Sequence, residues 1–214
     1  MARSSDTPRG ARRGSREKEQ LSRDAWLDAA ASAIEEGGFD NVRVLNLAKT
    51  LGVTRGSFYW HFRDHQDLLV SFLERWRERR LADLTAWLPS DTDVESETRR
   101  ILHRLLSEGT HNVRRMRIEL AVRDFARKDA LAARIVAEID QARIAQNQRI
   151  LEQIADDPRG ADDLSLLLYV ATMGAQLVMT GPAEKSPAMQ RIETMLGNLV
   201  LDWHRRGGGT LLEP

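Results

Sequence analysis

Residues 39–69 read FDNVRVLNLAKTLGVTRGSFYWHFRDHQDLL, and the fold turns on this stretch. Val44, Leu47, Ala48 and Leu51 fall at i, i+3, i+4 and i+7, one face of a helix. Gly52 follows and can take the left-handed conformation that ends a helix. Val53 anchors the turn, and Thr54 is placed to cap the next helix through its hydroxyl. Phe58 and Phe62 stand four apart and share a face. At about 100° per residue, Gly56 and Trp60 lie on the opposite face, flanked by Ser57 and Tyr59. Arg55 sits in the first turn, where a recognition helix touches bases, and Gly56 leaves room for close backbone approach. A helix, a tight turn and a short second helix with this outward face suit insertion into the major groove of DNA.

Gly38-Phe39-Asp40, Leu47-Ala48, Leu51-Gly52-Val53-Thr54 and above all Gly56-Ser57-Phe58-Tyr59-Trp60-His61-Phe62 resemble the N-terminal domain of TetR-family transcriptional regulators. The likeness runs from Leu21 to Leu69; beyond it the chain resembles the family in length and helical character only. The resemblance implies a sequence-specific DNA-binding regulator, a repressor released from an inverted-repeat operator by a small-molecule effector. It implies that Thr54, Arg55, Gly56 and Ser57 open the recognition helix and that Tyr59, Trp60 and His61 contact phosphates or thymine methyls. Two positions depart from the pattern. Arg43 precedes Val44 where a Ser or Thr usually starts the second helix, which loses the hydroxyl cap but keeps a phosphate contact within reach. His65 stands where a Lys commonly follows the His-Phe pair, a weaker phosphate contact at neutral pH. Packing roles for Tyr59 and Trp60, a structural hydrogen bond for His61 and plain solvation for Arg43 are the competing readings.

The rest of the chain reads as helices, an all-α fold. Ser22 caps a first helix with Trp26, Ala29, Ala30, Ala33 and Ile34 inward, stopped by Gly37-Gly38. Further helices are expected over 64–88, 94–112, 114–127, 129–155, 162–180 and 186–206, the last opened by Pro187 at its first turn. The expected organisation is a disordered basic arm over 1–20, a three-helix helix-turn-helix DNA-binding domain over 21–66, a larger helical effector-binding and dimerisation domain over 67–206 and a flexible tail over 207–214. The arm carries Arg3, Arg9, Arg12, Arg13, Arg16 and Lys18 and could follow a minor groove or be an inert tail.

Composition narrows the function. In 214 residues, Lys+Arg and Asp+Glu are both 32, so a DNA footprint must come from local placement rather than net charge. With no cysteine there is neither a disulfide nor a thiolate metal site, which fits a reducing, cytoplasmic setting. No apolar run follows the basic N-terminal residues, so no secretory signal is expected. Leu164–Thr180 is uncharged, but Ser165, Thr172, Gly174 and Gln176 interrupt it, and a helix covered by protein is expected rather than a membrane span.

The chain lacks a phosphate loop, a His-Glu-x-x-His pattern and a Gly-x-Ser-x-Gly elbow, so it is read as no enzyme, with no catalytic residues, metal or cofactor. Two apolar helices at the C-terminus invite self-association, and the resemblance implies a homodimer through these last two helices. Polar or aromatic residues on otherwise apolar faces are the candidates to line an effector pocket: Trp87, His103, His111, Met116, Phe125, Asn147, Tyr169, Met173 and Gln176. The alternative is a DNA-anchored helical interaction or architectural factor, or an activator, without small-ligand control.

Overall fold

The computed structural model describes residues 22–85, 96, 99–100, 103, 113–154, 156–178 and 187–211. Its helices are α1 (Arg23–Gly37), α2 (Val44–Thr50), α3 (Arg55–Phe58), α4 (His65–Thr85), α5 (Val113–Phe125), α6 (Ala130–Ile154), α7 (Ala161–Val178) and α8 (Pro187–Arg205), with a 3-10 turn over Phe39–Asn41. No β-strand occurs among the described residues. The basic arm over 1–20 and most of the helix expected over 94–112 lie outside them.

α1 starts where expected: Ser22 Oγ accepts from the Ala25 amide at 3.3 Å. It ends as the Gly38 amide bonds Ile34 O at 2.8 Å. Trp26, Ala30 and Ile34 are buried, as are Leu27 and Ala31, which the expected stripe omits. The wider buried face has a tertiary cause, because α1 packs against α2, α4 and α5 at once. Leu47 and Ala48 of α2 and Phe58 of α3 complete a small core. The Trp26 and Phe58 rings meet edge-on at 5.4 Å, and Phe58 and Phe62 stack at 5.3 Å. Burying each such side chain stabilises by about 1.5–3 kcal/mol. Asp64 caps α4 by accepting from the Asp67 amide at 2.8 Å, and Asp67 reaches back to the Arg63 amide at 3.0 Å. This reciprocal pair resembles a capping box, and the Arg63 amide chiefly holds the Asp67 carboxyl below its ordinary pKa.

The first core does not stop at the expected boundary near residue 66. Leu68, Leu69, Phe72, Leu73 and Trp76 of α4 continue it, and Val122 of α5 with Ala132, Ile135 and Ile139 of α6 extend it further. A second core joins Leu151 of α6, Leu164 and Leu168 of α7, and Leu196, Val200 and Trp203 of α8. No described helix is long and apolar enough to cross a membrane.

The segment read as a flexible tail is tied down through Leu211. The Asp157 amide donates to Gly207 O at 2.8 Å, the Gly209 amide to Asp157 O at 2.9 Å, and Trp203 Nε1 to Gly209 O at 2.8 Å. Leu211 packs on the second core. Gly160, at φ +84°, makes this docking possible, because a Cβ there would stand 2.5 Å from Gly209 O. Three glycines at 207–209 carry no apolar pattern, so the sequence predicts a free tail; what holds 207–209 is backbone hydrogen bonding. Gly160→Ala is expected to destabilise the fold by at least the ~1–3 kcal/mol of a left-handed non-glycine residue. Urea unfolding of the two proteins measures it, and an unchanged midpoint refutes the docking.

Candidate nucleic-acid interface

α3 is short because Gly52, at φ +68°, redirects the chain after α2 and Phe58 and Phe62 must both reach the core beneath it. Helical geometry lasts from Arg55 to Phe58, and residues 59–61 continue as turns, with the Tyr59 amide on Gly56 O at 3.2 Å and the His61 amide on Phe58 O at 3.0 Å. The outward residues are therefore held from below by two buried rings. Tyr59 is 51% and Trp60 82% exposed. Arg55 Nη2 donates to Tyr59 Oη at 3.0 Å, and its guanidinium lies 5.9 Å from the Tyr59 ring. That contact pre-orders a long, flexible side chain that would otherwise lose rotamer freedom on binding.

Thr54 occupies the N-cap position, but its hydroxyl makes no capping bond, contrary to the expectation; backbone Thr54 O accepts from the Ser57 amide at 3.0 Å instead. A Cβ on Gly56 would meet only Thr54 Oγ1, at 3.7 Å, so neither its helical backbone nor internal crowding requires glycine. Ser57 is half-buried. His61 is half-buried as well, and its side chain makes no hydrogen bond among the described residues.

Arg43 holds the N-cap position of α2 without a side-chain cap and donates from Nε to Asp40 O at 3.4 Å. His65 also has a partner within the fold. Its Nε2 lies 2.6 Å from Val42 O, and because a carbonyl can only accept, the ring donates there. His65 thus fastens the start of α4 to the loop before α2. Leu45 of α2 lies off that helix's apolar face and is 68% exposed.

The effector candidates have different surroundings among the described residues. Trp87, His111 and the side chain of Gln176 lie outside the described residues. Phe125 belongs to the helix junction, stacked on Phe39 at 4.1 Å and 8°. His103 is exposed, its Nδ1 3.3 Å from Glu193 on α8. Met116 and Asn147 are half-buried on α5 and α6. Tyr169 and Met173 both reach a cluster of charges between α5, α6 and α7, Tyr169 against Arg123 and Met173 against Arg143.

That cluster centres on Glu119, which is 3% exposed. Arg143 binds its two carboxylate oxygens at 2.9 and 3.1 Å, and Arg123 adds contacts at 2.9 and 3.1 Å. Arg123 also bonds both Asp140 oxygens, at 3.0 and 2.6 Å, and Tyr169 Oη donates to Asp140 at 2.5 Å. Met173 Sδ stands 4.0 Å from Arg143. Two carboxylates thus face two guanidiniums, and the cluster is self-neutralising. Burial works against the Glu119 charge, but the Arg143 and Arg123 contacts outweigh it and hold its pKa below the ordinary value. Burial, then the bond to Asp140, pushes the Tyr169 phenol up. Sequence periodicity marks Glu119 as one more charge on an amphipathic helix; only packing reveals its burial.

Comparison with known proteins accords with this geometry. Residues 27–72 match the family model of the bacterial regulatory proteins, tetR family. The HTH-type transcriptional regulator AcrR of Shigella flexneri is 35% identical over 115 residues, 50% of this chain and 51% of that protein. The chain thus spans about half the length of this curated relative. A transcriptional regulator from Rhodococcus sp. superposes with a TM-score of 0.68 at 19% identity, covering 85% of this chain and 97% of its own. SmeT, the repressor of the Stenotrophomonas maltophilia multidrug efflux pump SmeDEF, superposes with a TM-score of 0.56 at 20% identity, covering 86% and 90%. At these identities the two structures speak for the fold alone.

Removing the charge at Glu119 takes from Arg143 its two-point carboxylate and leaves Arg123 with Asp140 as its carboxylate partner. Glu119→Gln is expected to cost about 3–5 kcal/mol near neutral pH, as for breaking a buried ion pair. A carboxylate with a lowered folded pKa contributes stability above its unfolded value, near 4.5, and loses it as pH falls through the folded value. The gap between wild type and Glu119→Gln should therefore narrow as pH drops below that range. Denaturant unfolding across pH checks both, and a gap constant in acid contradicts the assigned charge.

Proposed function

We propose that this chain, which belongs to the tetR family of bacterial regulatory proteins through its N-terminal domain, is a transcriptional repressor that binds an inverted-repeat operator as a homodimer and is controlled by a small molecule. The observation that carries the reading is the outward face of α3: a pre-ordered arginine beside two exposed aromatic rings, on a segment whose opposite side is locked in the core. Arg55 reads a base edge in the major groove. Trp60, Tyr59, the Thr54 and Ser57 hydroxyls, His61 and Arg43 hold phosphates or thymine methyls, and Gly56 lets the sugar-phosphate backbone come close. His65 supports them by its bond to Val42 O.

The dimer uses α7 and α8. Leu166, Val170 and Gly174 follow one another at helical spacing on α7 with Leu167 beside them, and the three large side chains are 46–58% exposed. A Cβ on Gly174 would meet nothing within the chain, although glycine inside a helix costs ~1 kcal/mol relative to alanine. Close approach of a second helix explains it. Met195 of α8, 66% exposed, adds to the apolar surface. A dimer sets two recognition segments about 34–36 Å apart, one turn of DNA. An effector shifts the population between subunit arrangements, and DNA affinity falls by its differential affinity for them. Met116, Asn147, Tyr169 and Met173 are the described residues proposed to respond.

In vitro selection from random duplex DNA should return an inverted repeat. Arg55→Ala should cost about 1–3 kcal/mol on that site and relax preference at particular base pairs, whereas Trp60→Ala should weaken all sequences alike. An Arg55→Ala protein selecting the same site removes the base-reading role. Val170→Asp should yield a folded monomer by sedimentation and abolish binding to the paired half-sites; a dimeric Val170→Asp protein places the interface elsewhere.

A further inference from the structure

A cleft of about 350 Å³ opens between α1, α4 and α5, away from the residues assigned to DNA and from the Glu119 cluster. Its volume lies in the range of small-molecule sites. Arg75, Arg79 and Arg80 enter it from α4, and Arg114 and Arg115 from the first turn of α5. Asp28 and Asp83 are the acids on its walls, and Asp24 at 3.4 Å from Arg75 and Glu35 at 3.0 Å from Arg114 reach it from the side, so the positive charge in excess here is the one carried by Arg79. Phe72, Trp76 and Ile118 form apolar wall.

The acids are already engaged. Asp28 holds Arg75 at 2.8 Å, and Asp83 is shared between Arg80 at 3.3 Å and Arg115 at 3.1 Å. Arg114 turns to Glu35 at 3.0 Å. Arg79 has no ion pair among the described residues. Guanidiniums match carboxylates in a planar two-point geometry, and aromatic walls suit an apolar body.

We propose that this cleft is a binding site for a small organic acid, its carboxylate held by the α4 and α5 arginines and its apolar body against Phe72, Trp76 and Ile118. The site stands on its own lining. Its consequence for DNA rests on the reading of the chain as a ligand-controlled regulator. α1 belongs to the DNA-reading domain expected over 21–66, and the lining residues of α4 and α5 to the domain expected over 67–206, so an occupant touches both and biases how they sit together.

Calorimetric titration of the full chain with naphthoate, its neutral amide and inorganic phosphate tests the site. Naphthoate should bind saturably and the other two at least tenfold more weakly. Arg79→Ala, with its circular dichroism unchanged, should weaken naphthoate at least tenfold, and Arg79→Lys should restore part of the loss. No naphthoate binding, equal binding of the amide or of phosphate, or an unaffected Arg79→Ala protein each overturns the proposal. Operator affinity measured in the same samples separates the two readings. Naphthoate binding without any change in DNA affinity keeps the site and counts against its regulatory use. DNA released by other compounds, with no naphthoate binding, removes the site and keeps ligand control.

Discussion

The stack of Phe39 on Phe125 joins the two halves of this molecule. Phe39 lies in the 3-10 turn between α1 and α2, Phe125 ends α5, and Phe72 of α4 meets Phe39 edge-on at 5.8 Å. Such ring pairs contribute about 0.5–1.5 kcal/mol beyond the area they bury. Position matters more than magnitude here. The contact makes one continuous core of the α1–α4 unit and the first turns of α6, so the orientation of α3 is set partly by helices far along the chain. Ion pairs frame the junction: Arg114 with Glu35, Arg77 with Glu138, and Lys128 with Asp40. Most are solvent-exposed and individually weak.

Glu119 supplies a different kind of constraint. A buried carboxylate is tolerated only with strong partners, and Arg123 and Arg143 supply them. The cluster fixes the rotation of α5 against α6 and, through Tyr169, the register of α7. Apolar packing accepts many small sliding motions; a network of directional bonds accepts few. The polar cluster, rather than the apolar interface, sets the alignment of these three helices.

The α1–α4 unit was legible because its signals are local. The Leu47–Gly52 helix end, the Ser22 cap and the pairing of Phe58 with Phe62 are read within one or two turns, and each reappears in the fold. The Thr54 cap does not form: the residue type announces it, but Thr54 O takes the Ser57 amide instead. At His65 the fold adds a bond to Val42 O that its residue type does not announce. Phe125, Tyr169 and His103 look alike to a pattern search, as polar or aromatic residues on apolar helices. One is junction core, one is bound in an ionic cluster and one is surface, and no spacing along the chain distinguishes these fates.

Sequence by itself determined the all-α class, the helix-turn-helix and its outward chemistry, because helix periodicity, caps and glycine turns act over a few residues. Tertiary structure alone decided that Glu119 is buried, that the 207–211 segment docks beneath Gly160, and that arginines of α4 and α5 converge on one cleft. Those outcomes depend on contacts between residues tens of positions apart, whose free energy exists only once the chain has brought them together.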